Sequence, residues 1–265
     1  MNTKQFSQTL LASAMLLAFA APAQAGPIMH VHDSSGKLGT VDVATGNVNI
    51  IGSMGVVMTD IAFNPSGNLY GISFTGLYSI NPTTAAVSFI GNHSISGGNA
   101  LVFGSDGTLY GAGNSTNSLF SINPLTGAGT NLGNMGFASG GDLAFNGGDL
   151  YLASSGNQLI RINLGNLSST SAVGSFGVSG VFGLATGDDG LLYAVAGTTV
   201  YTVNTTTGNA SGPVSFSGQG LGTAFGQSFF TEAGAGGGGR VPEPASLALL
   251  GIGLAGLAAM RRRKV

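Results

Sequence analysis

The chain has 265 residues, of which 43% are hydrophobic and only 7% are charged. An ordinary globular domain has about 25% charged residues, so neutral polar groups must cover most of this surface. The 47 glycines predict many turns and few helices, and the absence of cysteine excludes disulfides, thiol catalysis and thiolate metal sites. Between residues 26 and 240, nine acidic side chains outnumber three basic ones, which excludes the basic surface that binds nucleic acid.

The N-terminus has the three features of a secretory signal in the right order. Lys4 supplies a positive charge, and residues 10–20 form an apolar run that only one serine interrupts. Ala23 and Ala25 then give an A-x-A cleavage pattern immediately before Gly26. We therefore predict that the signal peptide ends at Ala25 and that the chain from Gly26 onward is exported.

The middle of the chain is an internal repeat. One phrase has central aliphatic residues spaced 39, 42, 40 and 41 apart, at Val41, Ile80, Ile122, Ile162 and Val203. The copies of a second phrase end 40, 42, 41 and 39 apart; they are Ile61-Ala62-Phe63, Leu101-Val102-Phe103, Leu143-Ala144-Phe145, Leu184-Ala185-Thr186 and Thr223-Ala224-Phe225. A third phrase follows at Leu69-Tyr70, Leu109-Tyr110, Leu150-Tyr151 and Leu192-Tyr193.

Each repeat contains about four short apolar runs separated by turn residues. In one of these runs Tyr78 and Ile80 share a face while Ser79 points the other way, the period-two pattern of a strand. Four antiparallel strands in each repeat of roughly 40 residues indicate a β-propeller blade. Over residues 28–231 the chain resembles short-repeat bacterial propellers, including the NHL- and WD-repeat types, in architecture but without their diagnostic dipeptides.

Counting the copies predicts an all-β propeller domain over residues 26–232 with five blades. We expect Leu221–Gly226 to supply the inner strand of a blade whose outer strands come from Ile28–Gly52, because this closes the ring and removes an exposed edge. The run Ser228–Thr231 is left over. It is expected to compete with Ile28–His32 for the second strand or to add an edge strand. Six blades or an open array are the alternatives.

The C-terminus combines a linker, a proline motif, an apolar run and a basic end. Residues 233–240 are glycine-rich, and Val241, Pro242, Glu243 and Pro244 follow. Residues 245–260 contain one polar side chain and predict a transmembrane helix. Sixteen helical residues span about 24 Å, less than the roughly 30 Å hydrocarbon core. The cations that follow can extend to the cytoplasmic interface and anchor it there; they are Arg261, Arg262, Arg263 and Lys264.

These elements, over residues 241–265, resemble the PEP-CTERM sorting signal of Gram-negative bacteria. The resemblance implies recognition by an exosortase, cleavage near residues 241–244, and a setting of exopolysaccharide and biofilm production. It also implies an inner-membrane-anchored precursor that is later delivered to the cell surface, outer envelope or extracellular matrix. The alternative is a plain C-terminal anchor that stays uncut.

Two groups of side chains are candidates for metal ligands. His30 and His32 alternate on a predicted strand and share a face, with Asp33 next to them. Asp60 and Asp142 precede equivalent inner strands, so they could hold a cation in the central channel. The alternative for both aspartates is that they cap strand ends.

The sequence contains no recognisable set of catalytic residues and implies no cofactor. The segment between signal and tail has one glutamate, Glu232, and the chain has three histidines and no G-x-S-x-G elbow. We therefore expect a non-enzymatic envelope or matrix protein. Its propeller would bind or scaffold exopolysaccharide or other envelope proteins, and not nucleic acid. The alternative is a propeller hydrolase or lyase acting on a carbohydrate or small molecule.

Overall fold

The computed structural model describes residues 26–234, which contain twenty β-strands and two short 3₁₀ helices. Within this range no helix is long and apolar enough to cross a membrane. Ala23 and Ala25, the sorting motif, the predicted transmembrane helix and the basic end all lie outside the described residues. Ala233 and Gly234, placed in the predicted linker, belong to the second 3₁₀ helix.

The elements follow one another in chain order as β1 (Ile28–Asp33), β2 (Lys37–Asp42), β3 (Val48–Ser53), β4 (Asp60–Phe63), β5 (Leu69–Ile72), β6 (Gly76–Ile80), β7 (Val87–Asn92), β8 (Gly98–Phe103), β9 (Leu109–Gly113), β10 (Ser118–Ile122), β11 (Gly129–Asn134), β12 (Ser139–Asn146), β13 (Asp149–Ser154), β14 (Gln158–Ile162), η1 (Leu167–Ser169), β15 (Ser171–Ser175), β16 (Val181–Thr186), β17 (Leu192–Ala196), β18 (Thr199–Val203), β19 (Ala210–Ser215), β20 (Ala224–Phe229) and η2 (Glu232–Gly234).

The strands form five antiparallel sheets of four, which confirms the five-bladed propeller. Blades 1 to 4 are β4–β7, β8–β11, β12–β15 and β16–β19, and blade 5 joins β20 to β1–β3. The inner strands β4, β8, β12, β16 and β20 contact one another around a ring. Because each blade has an even number of strands, all five inner strands run the same way. We call the side where they begin the front face and the side where they end the rear face.

The two ends of the described chain close the ring inside blade 5, as predicted. Strand β20 pairs antiparallel with β1, with Phe229 opposite Met29 and Ser228 opposite His30. The inner strand begins at Ala224 and ends at Phe229, three residues later than the predicted Leu221–Gly226. The expectation for Ser228–Thr231 was wrong, because Ser228 and Phe229 continue the inner strand itself.

The register also corrects the fifth copy of the inner-strand phrase. Phe63 lies opposite Leu69, as Phe229 lies opposite Met29, so Gln227-Ser228-Phe229 is the structural counterpart of Ile61-Ala62-Phe63. Gln227 and Ser228 replace the aliphatic residues of the other copies. Ala224-Phe225 also has the Ala-Phe pattern of other copies, but it lies four residues before the true counterpart.

Five hydrophobic clusters lie at the five junctions between neighbouring blades. One of them joins Leu38 of blade 5 to Ile61 and Phe63 of blade 1, and all three side chains are buried. Each blade therefore buries both of its faces against its neighbours. Strand β20 supplies Ala224 and Phe229 to the cluster between blades 4 and 5, and its pairing with β1 removes an exposed strand edge.

Candidate functional site

The axis of the ring holds a buried polar cluster built around Asp60 and Asp142, which begin or lie near the start of two inner strands. Asp60 Oδ1 accepts the Ile61 N–H at 2.7 Å, and Asp60 Oδ2 accepts the Leu101 N–H of blade 2 at 2.6 Å. Both aspartates are fully buried. Each carboxyl group therefore joins its own inner strand to that of the next blade.

Asp142 repeats this arrangement two blades further on. Its Oδ1 accepts the Leu143 N–H and its Oδ2 accepts the Leu184 N–H of blade 4, both at 2.7 Å. The two carboxyl groups also lie close enough to hydrogen-bond to each other. Both aspartates accept N–H groups at the starts of inner strands, as the capping alternative expects.

The equivalent positions in the other three blades carry small residues, Ala100, Gly183 and Gly226. A side chain at Gly226 would collide with Asp60 Oδ1 and His32 Nε2. The space at this level is therefore filled by the two carboxyl groups and the His32 ring.

The rear end of the axis is closed by helix η2. Glu232 is buried, and its Oε2 accepts the Ser228 hydroxyl at 2.6 Å. The Ser228 hydroxyl in turn accepts the Phe63 N–H of blade 1 at 3.1 Å. Ala233 packs into the cluster between blades 1 and 2, and η2 contacts β4, β8 and β12. Helix η2 therefore covers the rear end of the axis.

The three carboxyl groups at the axis all have raised pKa values. Burial raises the pKa of Asp60 and of Asp142 well above the ordinary value, and for Asp142 the charge of Asp60 adds to the effect. Burial, followed by the charge of Asp142, also raises the pKa of Glu232 well above the ordinary value. Glu232 Oε1 has no hydrogen-bond partner within residues 26–234. Burial and the nearness of like charges therefore favour the neutral form of these carboxyl groups.

The predicted histidines are packed against this cluster. Burial lowers the pKa of His32 to about 3 and that of His30 to about 4, so both rings are neutral near pH 7. The His30 ring lies edge-on against Phe63 with centroids 4.9 Å apart. Asp33 does not join them, because its carboxylate accepts N–H groups from Ser35, Lys37 and Gly222.

The four candidate metal ligands are not gathered into a coordination site. His32 reaches the level of Asp60 at the axis, whereas His30 lies beside Phe63. Across residues 26–234, no group of three or more His, Asp or Glu side chains has the geometry to hold a metal ion. Sequence reasoning missed the part played by Glu232, because this residue stands beside the predicted linker.

The two faces of the propeller differ in charge. The strand order places five carboxylates on the rear face against one guanidinium, Arg161, which pairs with Asp149 at 2.8 Å. The other four are Asp42, Asp106, Asp188 and Asp189. On the front face the charges are those of Asp33 and Lys37, and Lys37 Nζ donates to the Gly220 carbonyl at 2.8 Å. The front face is therefore nearly free of unpaired charge.

Two shallow depressions lie between blades at the surface. The larger, of about 490 Å³, is lined by residues of blades 2 and 3 that include Leu132, Leu164 and Asn166. The smaller, of about 300 Å³, lies between the rear-face turns of blades 1 and 2 and contains Asp106. Neither brings two carboxylates together.

The family profile described as the PEP-CTERM protein-sorting motif matches residues 240–264. The chain carries a PEP-CTERM sorting motif. The match begins at Arg240, one residue before the predicted start, and includes the proline motif and the four terminal cations. A PEP-CTERM motif indicates an exported protein that is sorted to the cell envelope, and in general it implies processing by an exosortase. Comparison with curated proteins finds no match.

Solved structures resemble this protein in fold. A chain from a nidogen/laminin complex is 10% identical with a TM-score of 0.56, and the match covers 77% of this chain and 98% of that one. A protein provisionally named a gluconolactonase is 18% identical with a TM-score of 0.50, and the match covers 77% of this chain and 85% of that one. At these identities the similarity shows the fold alone.

Proposed function

We propose that this PEP-CTERM protein is a non-catalytic binding or scaffolding module of the cell envelope or extracellular matrix, connected with exopolysaccharide. The closed axis is the observation that carries the non-catalytic part of the proposal. Asp60, Asp142 and Glu232 are the carboxyl groups that converge among the described residues, and all three are buried and bonded within the ring. General acid–base catalysis needs groups that reach a substrate.

The remaining acidic groups support the same proposal because most are engaged in turns. Asp106 accepts the Thr108 N–H and hydroxyl at 2.9 Å each, and Asp189 accepts the Tyr193 hydroxyl at 2.6 Å. Asparagine and aspartate side chains favour such positions because they hydrogen-bond to the backbone of a turn. The surface that results offers hydroxyl and amide groups to a partner.

The route to the envelope follows from the two ends of the chain. We propose cleavage by signal peptidase between Ala25 and Gly26, and temporary anchoring by residues 245–260 with the cations 261–264 on the cytoplasmic side. An exosortase then cuts near residues 241–244. After cleavage the propeller is released to, or attached at, the cell surface, outer envelope or matrix.

The mass of the mature protein tests this route. The protein is purified from its own host with the exosortase gene present or deleted, and its intact mass is measured. We expect a chain that begins at Gly26 and loses the residues after the motif only when the exosortase is present. Replacing Glu243 with alanine should block the cut, whereas replacing Ala235 with serine, outside the matched residues, is the control. A chain that ends at Val265 in both strains contradicts exosortase processing.

A second candidate is a propeller hydrolase or lyase, favoured by the fold similarity to the protein provisionally named a gluconolactonase. An assay of lactone hydrolysis with aldonolactones distinguishes the two. Activity that disappears when Asp60 and Asp142 are both replaced by asparagine, in a protein that stays folded, would favour the enzyme.

A further inference from the structure

The front end of the axis is surrounded by five residues at equivalent positions, and in blades 2 to 5 they lie where the pairing of the inner strand is interrupted. Phe182 lies between Val181 and Gly183, which pair with consecutive residues of β17, so Phe182 is an extra residue. Phe225 occupies the same position in blade 5, between the partners of Asp33 and His32. The corresponding residues in blades 1 to 3 are Thr59, Asn99 and Gly141. We call these five residues the front ring.

The front ring has a polar half and an aromatic half. Thr59 and Asn99 are buried, and the Thr59 hydroxyl is bonded to the carbonyls of Ile72 and Gly98. A β-bulge turns the side chain of its extra residue away from the regular ladder, and bulges often serve to aim a side chain at a binding site. In blades 4 and 5 the residues aimed in this way are phenylalanines.

Phe182 and Phe225 form an accessible aromatic pair. Their ring centroids lie 6.1 Å apart at an interplanar angle of 88°. Phe182 is 38% exposed and Phe225 is half-buried, although a phenylalanine on an inner strand is normally part of the core. The core of blade 5 does not require the Phe225 ring, because Phe229 fills the buried position of that blade.

The surroundings of the pair are uncharged and rich in hydroxyl groups. Ser179 and Thr223, three and two residues before the two phenylalanines, are both exposed. The charges of the front face, those of Asp33 and Lys37, are held in bonds to the loops of that face. Helix η2 lies on the rear side, the face opposite the front ring.

We propose that the Phe182–Phe225 pair is the platform of a binding site for an uncharged sugar ring of a glycan. This inference rests on the proposed binding function and names its site and ligand class. A pyranose has an apolar face of C–H groups that packs on an aromatic ring, and hydroxyls at its edge that can bond to Ser179 and Thr223. A folded protein partner fits less well, since a stable interface buries about 800 Å² per side and two phenyl rings supply a fraction of that.

Saturation-transfer NMR and calorimetry with the full chain in a sugar-free polyoxyethylene detergent test the site. The probes are cellohexaose, maltohexaose and, as an anionic comparison, an alginate hexamer. We expect a neutral hexasaccharide to bind, and F182S and F182S/F225S to weaken it about tenfold, as for an aromatic hot spot. F74S is the matched control, because Phe74 is 55% exposed in a front-face turn away from the ring. F182Y should retain binding.

The possible results test the Phe182–Phe225 site and the proposed glycan-binding function separately. If F182S binds the neutral hexasaccharide as tightly as the wild type does, the site is wrong while glycan binding stands. If only the alginate hexamer binds, the uncharged ligand class is wrong. If no sugar binds to the wild type, the site and the polysaccharide part of the proposed function both fail, whereas the mass experiment still decides the sorting route. Should the double variant unfold, F182S alone decides the question.

Discussion

Asp60 and Asp142 lie in blades 1 and 3, and their carboxyl groups meet at the axis of the ring although a whole blade separates them in sequence. Each carboxyl also accepts an N–H group from the inner strand of the following blade. Four of the five inner strands are thus tied together by this pair of carboxyl groups. The fifth, β20, is tied to blade 1 by Ser228, whose hydroxyl accepts the Phe63 N–H.

Replacing Asp142 with asparagine should destabilise the propeller. An amide offers one oxygen, so either the Leu143 or the Leu184 N–H loses its acceptor and faces an NH₂ group. A buried donor left without a partner costs about 1–3 kcal/mol. We expect the urea midpoint at pH 6.5 to fall accordingly. Asp106→Asn, in an exposed turn, is the control and should change the free energy of unfolding by less than about 1 kcal/mol.

The stability of the propeller should decline as the pH rises above 6.5. Asp60, Asp142 and Glu232 have pKa values raised by burial, so the folded state keeps protons that the unfolded chain releases near pH 4. Their stabilisation is complete below pH 4 and is lost as the pH rises through the folded pKa values. Each proton retained on folding costs about 1.4 kcal/mol per pH unit in that window.

Below pH 6.5 the lowered pKa values of the histidines make the stability of the propeller change with pH in the opposite direction. His30 and His32 have pKa values lowered to about 4 and about 3, so below pH 6.5 the unfolded chain binds protons that the folded chain does not. Their contribution is present above pH 6.5 and is lost as the pH falls. We therefore expect opposed trends between about pH 4.5 and 6.5, and above pH 6.5 a urea midpoint that falls until the carboxyl groups have ionised. A midpoint that stays constant or rises in that upper range contradicts a buried proton. Asp142→Asn should flatten the upper-range decline.

The repeat period and strand alternation were sufficient to predict the number of blades and the closure of the ring. The repeat period and the alternation are both local patterns of the sequence. Core residues such as Ile80 and Ile122 recur once in each blade, together with the turn that follows them. The fifth inner strand was misplaced because Ala224-Phe225 has the expected pattern, whereas Gln227-Ser228 lacks it. Hydrogen bonding at the axis, to Tyr193, Phe63 and Glu232, selects the polar residues there.

The candidate site was only partly predictable for a related reason. The equivalent positions of Asp60 and Asp142 are visible in the sequence, but their meeting depends on the narrow radius of a five-bladed ring. Glu232 stands next to a glycine-rich segment, where exposure is the ordinary expectation. Its burial follows from the turn after Phe229, which brings η2 back to the axis. The extra residues Phe182 and Phe225 are defined by register, which the apolar pattern alone does not fix.

Gly208 should be intolerant of a side chain. It adopts φ of 81° in the turn between β18 and β19, and a Cβ there would lie 2.6–3.0 Å from backbone atoms of Gly174 on the neighbouring blade. Gly208→Ala combines a left-handed backbone cost with a steric clash, about 2–4 kcal/mol together. Gly107→Ala is the control, because Gly107 has φ of 83° and open space around it, so only about 1 kcal/mol is expected.

The measurement is the free energy of unfolding of both variants. Ala85 indicates that the conformation itself is tolerable, since it has φ of 61° in the equivalent turn of blade 1 and is fully buried. Equal losses for Gly208→Ala and Gly107→Ala would mean that the contact with Gly174 contributes nothing.

Removing β20 should prevent closure of the ring. A chain that ends at Thr223 leaves β1 without its partner strand and exposes the core position of Phe229. An open edge of this kind pairs with other chains, so we expect oligomers in size-exclusion chromatography and loss of cooperative unfolding. A chain that ends at Thr231 keeps β20 but lacks η2, and it should be monomeric with a lower urea midpoint than a chain that ends at Gly234. Adding a synthetic peptide of residues 224–234 to the shorter chain should restore the monomer. A chain ending at Thr223 that is monomeric and as stable as the longer one contradicts closure by β20.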